Sequence, residues 1–195
     1  MFEWLKLLRW DWRDEIGRFN ILNSVWMRTP GRLGFTWRNR HIPRYFAESG
    51  HGVKIHDGVR FRGIHRIRCG DDVEIGVDNF LQASGGLSLG DRVITGPGVR
   101  IWTVNHHFDD VTRPINDQGF DYAPVSIGAD CWLGAGVFVM PGVVLPEGCV
   151  VSAHSVVACK KYPPFAILAG HPARVIGRRD APHRANPGLV AENQA

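Results

Sequence analysis

No apolar run in this chain of 195 residues approaches the roughly 20 residues that a membrane-spanning helix requires. Charges at Glu3, Lys6, Arg9 and Asp11 interrupt the apolar N-terminus, so no secretory signal peptide is expected. Cysteine is scarce, with four residues and no C-x-x-C pair, which speaks against a structural zinc site. These absences place the chain in the cytoplasm. Its length and its hydrophobic content of 44% suit one domain with appendages.

What is present is a repeat. Ile127, Leu133, Val139, Leu145, Val151 and Val157 return at every sixth position, and Val125, Cys131, Val137, Val143, Cys149 and Ser155 form a second row two places ahead. A period of six belongs to neither a helix nor a simple strand. It indicates a parallel β-helix, in which short strands lie on flat faces and corners turn the chain. A sandwich would space its turns by about 8–12 residues and would not hold strict register. Gly128, Gly134, Gly142 and Gly148 fall between the rows, where a corner calls for backbone freedom. Cys131 and Cys149 stand in inward rows and are expected as reduced core thiols.

The first half repeats with interruptions. Ile55, Phe61 and Ile67 keep the six-residue step, which restarts at Ile75 and Leu81 and again at Leu89, Thr95 and Ile101, placing corner insertions near Asp71–Asp72 and Gly85–Gly86. The step from Ile101 to Ile127 is twenty-six, so residues 103–124 leave the solenoid as a loop. Loops of this length inside a compact repeat are usually functional. The organisation expected is an amphipathic extension or cap over 1–50, the β-helix over 51–162, a closing segment over 163–179 and a flexible tail over 180–195.

Charge is unevenly placed. Residues 1–46 hold nine Lys or Arg against four acids, within a whole-chain net charge of +4, and they hold five of the seven tryptophans. Leu5, Leu8, Trp12, Ile16, Phe19, Leu22 and Trp26 make an amphipathic helical stripe interrupted by Gly17. The preferred reading is a cap on the end coil or a subunit contact. The alternative is peripheral contact with the inner face of a membrane through residues 1–30. No recognised nucleic-acid motif accompanies the basic segment, and nucleic acid is not an expected partner.

Several motifs carry a resemblance. Ile101-Trp102-Thr103-Val104-Asn105-His106, the loop to Arg113, Pro124-Val125-Ser126-Ile127-Gly128, Cys131-Trp132-Leu133-Gly134, Met140-Pro141-Gly142-Val143 and the ending Ala169-Gly170-His171-Pro172-Ala173-Arg174-Val175-Ile176 together cover roughly residues 50–178. Their order resembles the hexapeptide-repeat acetyltransferases of the galactoside, maltose and polysaccharide O-acetyltransferase kind. That resemblance implies a left-handed parallel β-helix, a homotrimer with active sites between subunits, acetyl-coenzyme A as co-substrate, no metal, and a small or lipid-linked sugar as acceptor. The hand comes from the resemblance alone, since general crossover preferences favour the opposite one.

An alcohol needs a base to attack a thioester, and histidine can take and return that proton near neutral pH. The family correspondence makes His106 the base, with His107 as runner-up. Oxyanion donors in this family are largely backbone N–H groups. The family's asparagine after its N-F pair is not matched here, so Asn79, Gln82 and Ser84 remain open replacements. Arg113 contacts the acceptor or braces the loop, and Asp109 and Asp110 orient a histidine or bind sugar hydroxyls. The resemblance places Trp132, Ala135, Ser152 and Ala153 along the coenzyme arm. Lys160 and Arg174 are assigned to its phosphates, with Lys161, Arg178 and Arg179 in reserve. Two departures stand out: Val157-Ala158-Cys159-Lys160-Lys161-Tyr162-Pro163 is one residue longer than the family's V-T-K-x-x-P, and His154 replaces the glycine of G-A-G-S.

Two other classes share the scaffold. A γ-class carbonic anhydrase would use His51 and His56 among its metal ligands, but a suitably placed third is missing upstream. A non-catalytic platform would need neither the His106 loop nor the Arg174 cluster.

Overall fold

The computed structural model describes residues 3–181. It is a parallel β-solenoid of about six turns with helices packed at its N-terminal end. The first face stacks strands Glu48–Ser49, Ile67–Cys69, Leu87–Leu89, Val125–Ile127 and Val144–Leu145. The second stacks Lys54–Ile55, Glu74–Ile75, Ile94–Thr95, Trp132–Leu133, Val150–Val151 and Ala166–Gly170, and Ala173–Arg178 closes it antiparallel. The third stacks Arg60–Arg62, Phe80–Gln82, Arg100–Trp102, Phe138–Val139 and Val156–Val157. Two- and three-residue strands form because each side chain of the inward row meets its counterpart one coil away: Ile127 pairs with Leu145, Leu133 with Val151 and Val139 with Val157. Both rows read from the sequence are buried throughout. The ladder begins at Glu48, three residues inside the stretch assigned to the extension.

Register corrects one insertion. Cys69, not Ile67, pairs with Leu89 in the inward row, while Ile67 pairs with Leu87 in the row two places ahead. The extra residues therefore lie at Gly63–Arg66, where Ile64–Arg66 forms a 3-10 turn, and Asp71–Asp72 is an ordinary corner. The insertion at Gly85–Gly86 is in the expected place, between Gln82 and Leu87. Corner glycines also divide into two kinds. Gly142 and Gly148 have positive φ (77° and 68°), as a tight turn requires. Gly134 does not; a Cβ there would lie 2.7 Å from the Ala153 nitrogen of the next coil, so it is the stacking distance that excludes a side chain.

At the N-terminal end, α1 (Glu3–Arg13), α2 (Glu15–Trp26) and α3 (Gly31–His41) replace the single striped helix expected there. The break has a local cause. Asp14 caps α2 by accepting a hydrogen bond from the Gly17 amide at 2.6 Å, and any Cβ on Gly17 would strike the Asp11 carbonyl. Phe19 of α2 is buried against Tyr45 and Phe61, with ring centroids at 4.8 and 6.2 Å, and Met27, Ile42 and Phe46 complete the seal over the first coil.

α3 also meets the backbone edge. Amides at 54 and 56 donate to the following coil, so the Ile55 amide and carbonyl point away from the stack. Asn39 accepts from the Ile55 amide at 2.7 Å, and buried Arg38 donates to the Ile55 carbonyl at 3.1 Å and to the carbonyls of Trp26 and Thr29 at 3.0 Å. Desolvation holds the Arg38 guanidinium below its ordinary pKa, with Asp57 opposing the shift. At the other end, Arg179 ties the closing hairpin to the Asp130 carboxylate at 2.9 Å and to the Gly148 carbonyl at 3.0 Å. Beyond residue 181 the expected tail lies outside the described residues.

Candidate functional site

The excursion between the third and first faces is an ordered hairpin. Val104–His106 pairs antiparallel with Phe120–Tyr122, placing His106 opposite Phe120. Its base is pinned by Thr103, which is fully buried and whose hydroxyl donates to the Gln82 carbonyl at 2.7 Å and accepts from the Gly85 amide at 2.8 Å. Gln118 closes the tip by bonding both backbone groups of Asp110 and the Arg113 carbonyl. Arg113 donates to the Asp117 carbonyl, which makes it a brace of the loop. Asp109 is exposed, and Asp110 is held below the usual carboxylate range by hydrogen bonds from Thr112.

His106 is exposed, and its ring lies 4.4 Å from that of Phe120. Its ring makes no hydrogen bond among the described residues. His107 is half-buried, its amide donates to the Gly119 carbonyl, and its Nε2 lies 3.4 Å from Asp121 Oδ1. Adjacent positions thus present two different histidines, one open and one carboxylate-braced.

Asn79 is not at the surface. It is fully buried, donating to the carbonyls of Val77 and Gly96 at 3.2 and 2.8 Å while its Oδ1 takes no hydrogen bond. This corrects its assignment to the acceptor: an inward corner position turns the amide into the stack, and spacing alone does not reveal that orientation. Gln82 accepts from the Ser84 amide and is likewise turned in.

Ala135, Ser152 and Ala153 gather at the corner between the second and third faces, beside Trp132, which is 53% exposed. A cavity of about 460 Å³ opens there, lined by Asp78, Pro97, Arg100, Ala135, Phe138 and His154 among others. His154 has φ of 58°, a backbone conformation that favours glycine, and its ring lies where any side chain on Gly136 would go. Its part as a wall of this cavity was not legible in the sequence, where it registered only as a departure. At the C-terminal end Lys160 donates to the Ala173 carbonyl at 2.7 Å, which brings it beside exposed Arg174. Lys161 is exposed, whereas Arg178 and Arg179 are engaged by Asp180 and Asp130.

Two clusters therefore occupy two corners. The third face, with its strands Arg100–Trp102 and Phe138–Val139, lies between them. His51 lies 3.5 Å from Asp71 and His56 3.0 Å from Glu74, and no group of three His, Cys, Asp or Glu among the described residues is placed to hold a metal ion.

Comparison with known proteins adds a family. Residues 124–159 match the bacterial transferase hexapeptide (six repeats) family. The putative colanic acid biosynthesis acetyltransferase WcaF of Escherichia coli is 30% identical over 145 residues, 74% of this chain and 76% of that one. The probable acetyltransferase Rv3034c of Mycobacterium tuberculosis is 34% identical over 140 residues, 72% of this chain but 44% of its own length. This chain thus spans less than half of that relative. A hexapeptide-repeat-containing acetyltransferase from Vibrio cholerae, solved with acetyl-coenzyme A, superposes with a TM-score of 0.73 at 23% identity, covering 89% of this chain and 87% of that one.

Proposed function

The chain belongs to the hexapeptide-repeat acetyltransferases, and from that membership we propose that it moves an acetyl group from acetyl-coenzyme A to a hydroxyl of a sugar or glycan intermediate, with His106 as general base. One observation carries the reading: the histidine that the resemblance assigns as base falls on an ordered hairpin that leaves the coils, and it is exposed there. His106 takes the proton as the acceptor oxygen attacks the thioester carbon, the carbon–sulfur bond breaks, and the proton passes to the departing thiolate. The products are an acetyl ester and free coenzyme A. Sugar acceptors are favoured by the relative named for colanic acid biosynthesis.

Reacting atoms must come within about 3–3.5 Å, whereas the His106 corner and the Ala135–Ser152–Ala153 corner of one chain stand a whole face apart. The reading therefore includes a homotrimer in which the hairpin of one subunit meets the coenzyme corner of the next. Exposed Phe108, Val111, Ile115 and Tyr122 give the hairpin an apolar surface for that contact. Trp132 and His154 flank the coenzyme arm, and Lys160 with Arg174 meets its phosphates.

The test is thiol release from acetyl-coenzyme A across sugars, nucleotide sugars and lipid-linked glycans. His106→Ala should lower turnover by about 10²–10⁴-fold with the thermal midpoint unchanged, while His107→Ala keeps most activity. Retained turnover in His106→Ala would refute the assignment, and loss in His107→Ala alone would move the base to the carboxylate-braced neighbour.

A further inference from the structure

The N-terminal helices present a surface that acetyl transfer does not use. α1 buries no side chain, and Leu7 (59% exposed), Leu8 (44%), Trp10 (74%) and Trp12 (51%) all face solvent. At 100° per residue Leu5, Leu7, Leu8 and Trp12 share about half of the helix circumference with Asp11 among them, and Lys6, Arg9 and Arg13 lie opposite, with Trp10 beside Lys6.

Behind α1, residues 16–47 contain six arginines and no Asp or Glu. Arg38 is buried in the cap, but Arg28, Arg32, Arg40 and Arg44 are exposed and Arg18 is half-buried. α3 turns Leu33 and Trp37 outward along the same side as Arg40. A cavity of about 230 Å³ beside α2 is lined by Arg18, Arg44, His41, Trp26, Tyr45 and Glu15. There the His41 imidazole is held below its ordinary pKa by partial burial and then by Arg44 and Arg40. Exposed apolar side chains thus occur together with clustered cations that only one carboxylate, Glu15, accompanies in the cavity.

We infer that these helices dock on an anionic phospholipid surface, α1 laying its apolar side chains into the interfacial layer while the exposed arginines of residues 16–47 meet lipid phosphates. Tryptophan and arginine suit that position because each joins an apolar body to a polar end. Attraction to an anionic surface accumulates with each cation, so a cluster of arginines is decisive where a single one is not. Charge argues against a second copy as the occupant. Residues 1–46 carry a net +5 and the whole chain +4, which leaves the remainder at −1, so a second copy brings no large opposite net charge to this segment.

Sedimentation of the full chain with vesicles tests this, comparing phosphatidylcholine alone with an equimolar mixture of phosphatidylcholine and phosphatidylglycerol. The chain should pellet with the mixed vesicles and not with the neutral ones, with a blue shift of tryptophan emission, and added salt should release it. Leu7→Glu combined with Leu8→Glu should weaken binding by at least about 10-fold. Neither side chain is buried, so circular dichroism and the thermal midpoint should match the parent. Failure to pellet with mixed vesicles, or pelleting indifferent to the double substitution, would overturn the inference. So would a change of oligomeric state in that variant when the parent ignores vesicles, because α1 would then be covered by another copy. Turnover on a soluble acceptor reads the acetyltransferase proposal separately.

Discussion

Thr103 does at one residue what a loop insertion demands of its base. With both hydroxyl bonds made inside the stack, it lets the chain leave the third face without stranding the Gly85 amide or the Gln82 carbonyl. Thr103→Val keeps the shape and removes both bonds, so unfolding in urea should show a loss of about 1–3 kcal/mol and the hairpin should become protease-sensitive. Thiol chemistry provides a second check. Burial pushes the Cys69 thiol up to about 12, Cys131 and Cys149 are also buried, and Cys159 is exposed. Iodoacetamide at pH 8 should label Cys159 alone in the native protein and all four after denaturation. His41 gives a pH sign: its folded value lies below its unfolded one, so its contribution is intact above about 6.5 and is lost as pH falls through the folded value. Thermal midpoints measured from pH 7 down to pH 5 should fall, and His41→Gln should flatten part of that slope.

Among the elements, α3 shows how a solenoid is begun. Arg38 and Asn39 stand where a preceding coil would supply a donor and an acceptor to Ile55. Arg38→Met should cost about 3 kcal/mol, since the buried Ile55 carbonyl and the partly buried Trp26 and Thr29 carbonyls lose a charged donor, and the denaturation midpoint should record it. The stripe in residues 5–26 correctly announced an apolar helical segment, but not its break at Asp14, because hydrophobic spacing is blind to how closely two helices approach at Gly17. It also credited Leu5, Leu8 and Trp12 with the same covering role as Phe19, and only Phe19 is buried. The hairpin was legible as an excursion because it broke a period. Its internal bracing by Gln118 and Arg113 was not, since polar side chains bonding backbone carbonyls leave no periodic trace.

Across the whole molecule the six-residue rows define the core, and the alignment of side chains between coils follows from them. Leu133 is fully buried between Thr95 and Val151, so Leu133→Ala should destabilise the protein by about 2–5 kcal/mol by calorimetry or urea titration. Register in the first half was harder to read because coils there advance by twenty residues, Ile55 to Ile75 to Thr95, instead of eighteen, and Ile67 mimics the inward row while belonging to the other. The site was legible as residue types on named corners; that Asn79 faces inward and His154 outward was not.

The arrangement at Ile55 also governs how copies of this protein can meet. An open strand edge is a template onto which another chain can zip, and a stack of identical coils would otherwise lengthen without limit. Here the starting rung has its amide and carbonyl already occupied by Asn39 and Arg38, and the opposite end is folded back on itself by the strand Ala173–Arg178. On the second face the regular parallel ladder therefore stops at both ends, at side chains before its first rung and at a strand of opposite sense after its last.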